Sequence, residues 1–239
     1  MQQDVASRVT LALDGMDQSS ISILLCPGSA ARFAHTLKIH DLWDRMGSRA
    51  VSYLKHTARD ERVRVWADLK LNDTPQTVAS RAKAVREAGA HSLTVHANAG
   101  VDSIRAALDN GPSEVIAITV LTSISPPHCY EMYNRSCEEQ VQYLANLALS
   151  EGVSSLVCSG HEVAMLREKF PEATLIVPGV RMPGSDARGQ KRIVTPWDAF
   201  KNGASRVVLG SEVTKADNPA AAFTNIINET KAQLNGGLL

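Results

Sequence analysis

The sequence predicts a single closed (β/α)8 barrel over residues 1–239, and three observations predict it. Short β-rich runs recur about eight times, an amphipathic helical pattern follows each, and no Pro/Gly/Ser linker or internal repeat divides the chain. A length of 239 residues with 44% hydrophobic content suffices to bury one large core. Strands that alternate with crossover helices run parallel, and about eight of them in this length favour a closed barrel over a doubly wound open sheet.

Taken in order, the runs also show which side chains face inward, because residues two apart on a strand share a face. In the first run, residues 8–14, Leu11 and Leu13 take the helix side and turn Ala12 and Asp14 inward. In the second, 36–40, Leu37 and Ile39 face out and Lys38 and His40 face in. The third, 62–70, sends Ala67 and Leu69 out and leaves Trp66, Asp68 and Lys70 inside. A helix follows, with Thr74 as N-cap, Pro75 at its first position and Gly89 closing it. The fourth run, 92–97, places Leu93 and Val95 outside and Thr94 and His96 inside. The remaining runs are 115–121, 155–159, 173–178 and 206–210, and Pro219 opens an Ala-rich last helix. The segment 183–190 falls after the seventh strand, where barrel loops carry function, and is read as a mobile lid.

Composition narrows the function. Lys plus Arg and Asp plus Glu both number 25, a formal net charge of +0, so no electrostatic footprint invites nucleic acid or an acidic membrane. A small-molecule ligand is expected. The first residues lack an apolar signal region and no run approaches a membrane span, so a cytoplasmic protein is expected. Cys26, Cys129, Cys137 and Cys158 form no C-x-x-C pair, which argues against a disulfide framework or a thiolate zinc site. His35 and His40 have opposite parity, as do His91 and His96, so no metal site is expected. Glu138 and Glu139 read as part of a solvated helix face.

Four neighbouring strands each place a polar or charged residue inside at the carboxy-terminal end, where active sites of such barrels lie. An unpaired charge removed from water costs several kcal/mol, so a purely structural core would not tolerate them. With Lys38 and Asp14 near Asp68, Lys70 and Asp73, an alternating array of ammoniums and carboxylates can form and remain charged away from water. On the opposite rim, Pro178-Gly179-Val180-Arg181, Gln190-Lys191-Arg192 and Gly210-Ser211 lie in the loops after strands seven and eight and read as a phosphate site.

At these residues the chain resembles the orotidine 5'-phosphate decarboxylase family, particularly its bacterial form. The segments that carry the likeness include Leu11-Ala12-Leu13-Asp14, Leu37-Lys38-Ile39, Asp68-Leu69-Lys70-Leu71-Asn72-Asp73, Thr94-Val95-His96-Ala97, Thr122-Ser123, Pro178-Gly179-Val180-Arg181 and Gly189-Gln190. The resemblance implies a homodimer that converts orotidine 5'-monophosphate to uridine 5'-monophosphate and CO2, the last step of pyrimidine (UMP) biosynthesis, without metal or cofactor. It implies that Asp68 sits near the substrate carboxylate, that Lys70 delivers a proton to C6, and that Lys38 and Asp73 complete the charged array. It implies further that Asp73 crosses the subunit interface, that Asp14 and Thr77 hold ribose, and that Thr122 and Ser123 hold the pyrimidine. Arg181, Gln190 and the Gly210 backbone would hold the phosphate.

Three positions depart from the family pattern. Ser211 stands where an arginine usually grips phosphate, with Glu212 next to it, His40 replaces a glycine, and Thr74 replaces an isoleucine. Two other readings fit parts of the pattern. One is a Mg²⁺-dependent sugar-phosphate decarboxylase or aldolase of the same barrel superfamily, such as 3-keto-L-gulonate 6-phosphate decarboxylase. The other is a catalytically silent barrel that binds nucleotides or a protein partner.

Overall fold

Eight parallel strands close on themselves in sequence order in the computed structural model, which describes residues 4–184 and 194–236. They are β1 (Val9–Ala12), β2 (Thr36–Ile39), β3 (Val65–Leu71), β4 (Ser92–His96), β5 (Glu114–Ile118), β6 (Ser155–Val157), β7 (Thr174–Val177) and β8 (Arg206–Leu209). Closure is made at β1, where Ala12 pairs with Lys38 on one side and Leu11 with Leu209 on the other.

The two-residue period sorts the strand side chains into two cores. Leu11, Leu37, Ile39, Ala67, Leu93 and Val95 join the larger core between strands and helices, while Ala12, Trp66, Ile116, Ile176 and Val208 pack together inside the barrel. Small and bulky residues thus fill the lumen at mid-height and leave the two mouths for polar groups.

Punctuation works locally as residue chemistry requires. Pro75 occupies the first turn of the helix Pro75–Glu87, where its missing N–H costs nothing, and Gly89 follows the helix at φ 81°. Pro219 likewise opens Pro219–Asn235, whose N-cap Asn218 accepts from the Ala221 N–H. Glu139 does more than face solvent. It accepts from the Ser136 backbone N–H at 2.9 Å while Ser136 Oγ accepts from the Glu139 N–H, a reciprocal cap on the helix Cys137–Ser150.

Strand ends differ from the sequence expectation for readable reasons. β3 begins at Val65 rather than at 62, because Arg62 is held in a turn, its N–H and side chain both on the Asp60 carboxylate. β2 ends at Ile39, so His40 is exposed at the N-cap of the helix Asp41–Met46 and not inside the barrel. The seventh-strand loop expected as a lid runs into residues 185–193, which lie outside the described residues. No described helix is long and apolar enough to cross a membrane.

Candidate active site

The carboxy-terminal mouth opens into a cavity of about 440 Å³. Its apolar floor is made by Ala12, Trp66, Ile118, Val157 and Val208, and its walls carry the charges. Register explains how they meet: Ala12 pairs with Lys38 and Lys38 with Trp66, so Asp14, Lys38 and Asp68 come from adjacent strands at successive heights.

Four charges form one continuous chain. Lys38 Nζ donates to Asp14 Oδ2 at 2.6 Å and to Asp68 Oδ2 at 2.9 Å, and Lys70 Nζ donates to the same Asp68 oxygen at 2.6 Å. Lys38 and Asp68 are only 7% and 5% exposed, so water cannot screen them, whereas the outer members Asp14 and Lys70 retain solvent access. Two ammoniums on one carboxylate oxygen leave the second oxygen to a neutral donor. Thr94 Oγ donates to Asp68 Oδ1 at 2.7 Å and accepts from Trp66 Nε1 at 2.9 Å. A hydroxyl has one proton, and an indole N–H can only donate, so the direction of this relay is fixed.

Electrostatics keep the inner pair ionised. Burial alone would raise the Asp68 pKa, but Lys38 and Lys70, with bonds from Lys70 and Thr94, overcome it and hold the carboxyl well below its ordinary range. Burial would likewise drive the Lys38 ammonium toward neutrality, yet Asp68 and Asp14 hold its pKa above the usual lysine value. His96 sits half-buried nearby, and burial first, then Lys70, lowers its pKa, which favours the neutral imidazole.

Lys70 itself lies at φ 47°, in the left-handed region that side chains with a Cβ rarely occupy, and the β3–β4 register shifts between Ala67 and Leu71. Such a conformation costs on the order of 1–3 kcal/mol and persists where surrounding contacts over-determine it. The irregularity lies in the strand that aims the terminal ammonium of the array.

The other sequence-predicted residues divide into three groups. Thr122, Ser123, Pro178, Arg181, Gly210 and Ser211 line the same cavity as the four charges. Gly179, between Pro178 and Val180, turns at φ 72°, a conformation open to glycine at no steric cost. Asp73 and Thr77 do not join them: Asp73 is exposed, its Oδ1 accepts from the Thr74 N–H at 2.7 Å, and it is not part of the four-charge chain. Thr77 Oγ lies 3.1 Å from Thr74 Oγ. Gln190 lies outside the described residues, with Arg188, Lys191 and Arg192.

Arg181, expected at the phosphate, is engaged within the protein. The side chain is buried, Nη1 donates to the Val180 carbonyl at 2.9 Å, and Nε faces Glu212 Oε1 at 3.7 Å, an ion pair too long for a hydrogen bond. Glu212, the acidic neighbour of Ser211, therefore faces an internal cation. Among the described residues no group of three or more His, Cys, Asp or Glu side chains is placed to hold a metal ion.

Sequence reasoning put Thr94 and Trp66 inside the barrel but missed their joint role, since parity orients side chains without saying which will bond. Lys70's left-handed backbone had no signal at all.

Comparisons with known proteins agree with this fold. The model of the "Orotidine 5'-phosphate decarboxylase / HUMPS family" matches residues 8–226. The orotidine 5'-phosphate decarboxylase of Thermobifida fusca is 37% identical over 229 residues, 94% of this chain and 96% of that protein. That of Prochlorococcus marinus is 34% identical over 238 residues, covering 93% and 95%. Among solved structures, the orotidine 5'-phosphate decarboxylase of Lactobacillus acidophilus superposes with a TM-score of 0.75 at 28% identity, over 94% of this chain and 99% of that one. A conserved protein of Geobacillus kaustophilus, described as uncharacterized, gives the same TM-score at 27% identity. Matched from its first strand into its last helix, the chain belongs to the orotidine 5'-phosphate decarboxylase / HUMPS family.

Proposed function

We propose that this chain acts as a single-domain cytoplasmic enzyme, a homodimeric carboxy-lyase that converts orotidine 5'-monophosphate to uridine 5'-monophosphate and CO2. The observation that carries the reading is the unbroken chain Asp14–Lys38–Asp68–Lys70 in a pocket with an apolar floor, within a family whose named relatives are decarboxylases of this substrate.

The chemistry follows from where charge develops. The bond from C6 to the carboxylate breaks, CO2 leaves, and the electron pair stays on C6, a carbon with no electron sink. A fixed cation beside C6 stabilises that pair more than it stabilises the substrate, which is the requirement for acceleration. Lys70 supplies the cation and then its proton, forming the C6–H bond and becoming the neutral amine. Asp68, held ionised by two ammoniums and Thr94, faces the substrate carboxylate and disfavours the ground state relative to the product side. No metal or organic cofactor has a step in this scheme.

Ribose is assigned to Asp14 and Thr77, the pyrimidine to Thr122 and Ser123, and the phosphate to Arg181, Gln190 and the backbone at Pro178, Gly210 and Ser211. The exposure of Asp73 supports the reading that it and Thr77 serve the partner's pocket, because a charged side chain that completes no site of its own is available to another. The test is direct: purified protein with orotidine 5'-monophosphate in EDTA, followed by loss of substrate absorbance. Turnover is expected; a requirement for added Mg²⁺ would favour the sugar-phosphate branch, and no turnover at all the silent barrel.

A further inference from the structure

The barrel has a second polar mouth. At its amino-terminal end lies a cavity of about 520 Å³ built from the residues that start the strands. Arg8, His35, Arg64 and His91 stand immediately before β1, β2, β3 and β4, Glu114 opens β5 and Arg206 opens β8. In a chain whose formal net charge is +0, three guanidiniums here face one carboxylate.

That carboxylate is fully engaged. Glu114 accepts from Ser92 Oγ at 2.6 Å and Ser155 Oγ at 2.7 Å, and Arg206 grips both its oxygens through its two terminal nitrogens. This buried fork closes the bottom of the barrel, and closing it needs neither Arg8 nor Arg64. Arg8 spends Nε and Nη2 on the Ser205 and Ala204 carbonyls and stacks 4.1 Å above the Phe200 ring. Arg64 Nη1 lies 3.0 Å from His35 Nε2. A guanidinium only donates, so His35 Nε2 is the acceptor and Nδ1 carries the proton toward Thr36 Oγ, 2.6 Å away. Among the described residues, the contacts leave Arg8 Nη1, Arg64 Nε and Nη2 and the His91 ring without a partner, and every guanidinium group left over is a donor.

We infer that the amino-terminal mouth is a second anion site, for a phosphate group or a dianion of similar size, bound by Arg64, Arg8 and His91. Planar forks at the rim of a concave, positive site are the groups that hold phosphate bidentately. The histidines sense these charges: burial first, then Arg206 and Arg64, drives His35 down to about 4, and burial also lowers His91, where Glu114 opposes the shift and Arg64 and Arg206 add smaller downward pushes. An anion seated between the arginines reverses that push, so the two imidazoles become built-in reporters that are remote from the carboxy-terminal pocket.

The test is a titration of the full chain with inorganic phosphate, and in parallel with ribose 5-phosphate, following the His35 and His91 ring resonances against sodium chloride at matched ionic strength. Saturable shifts and a rise of the His91 pKa with either ligand are expected, with Arg64→Gln weakening binding roughly tenfold or more and Arg181→Ala leaving the shifts in place. Equal response to both ligands assigns the site to free phosphate, and tighter binding of the ester assigns it to a sugar phosphate. Shifts that chloride reproduces, or that Arg181→Ala removes and Arg64→Gln does not, overturn the inference.

Discussion

Replacing Thr94 by valine keeps the shape of the side chain and removes one hydroxyl, which here serves two buried partners. Asp68 Oδ1 loses its neutral donor and Trp66 Nε1 loses its acceptor. A hydrogen bond to a charged group contributes about 1.5–3 kcal/mol, and the indole N–H of Trp66, a side chain only 2% exposed, adds about 1 kcal/mol or more when left unpaired. Thr94→Val should therefore cost about 3 kcal/mol in urea denaturation. Thr94→Ser, which keeps the hydroxyl and loses one methyl, should cost about 1 kcal/mol. Thr94→Val also frees the Asp68 carboxylate to rotate about its two ammoniums. On the proposed mechanism kcat then falls at least roughly tenfold, the equivalent of about 1.4 kcal/mol in the barrier, while KM changes little and serine restores the rate. If valine proves as stable and as active as serine, the hydroxyl relay does not position Asp68 and the reasoning fails.

Other consequences follow from the same contacts. Glu114 is half-buried, and although burial pushes its pKa up, the bonds and charge of Arg206 hold it at about 2 against an ordinary 4.5; its stabilisation is present above 4.5 and is lost as pH falls toward 2. Wild type should shed about 3 kcal/mol over that interval from this group, and Glu114→Gln should flatten that part of an acid-denaturation profile. Ser211 lines the substrate cavity, so Ser211→Arg should lower KM for orotidine 5'-monophosphate by roughly tenfold through a charge-assisted contact; a higher KM would show the phosphate gripped elsewhere. If Asp73 serves the partner's pocket, Lys70→Ala and Asp73→Asn homodimers, each inactive, should regain about a quarter of wild-type turnover on mixing, since half the dimers then hold one intact site. Mixtures that stay inactive would return Asp73 to its own protomer.

Much of this architecture could be read from residue order. Two-residue alternation located the strands and oriented Ala12, Lys38, Trp66, Asp68 and Thr94 inward, because one face of every strand must meet the helices. What failed depended on contacts between residues distant in sequence or on backbone geometry. His40 left the barrel because β2 stops one residue sooner and its backbone starts a helix. Arg181 turned to Glu212, 31 residues later, and no local pattern announces such a pair. Lys70's left-handed conformation carries no residue-type signal, since glycine is the usual marker for positive φ. The amino-terminal mouth was legible and overlooked: an arginine or histidine precedes each of the first four strands, a regularity visible once attention shifts from the ends of strands to their starts.

In the proposed reaction the ammonium of Lys70 is the group that meets developing charge at C6. Turnover of orotidine 5'-monophosphate by Lys70→Ala, measured on protein whose near-ultraviolet circular dichroism matches wild type, tests this most directly. The expected result is an intact barrel with no detectable decarboxylation, and a folded variant that still turns over substrate at a comparable rate would contradict it.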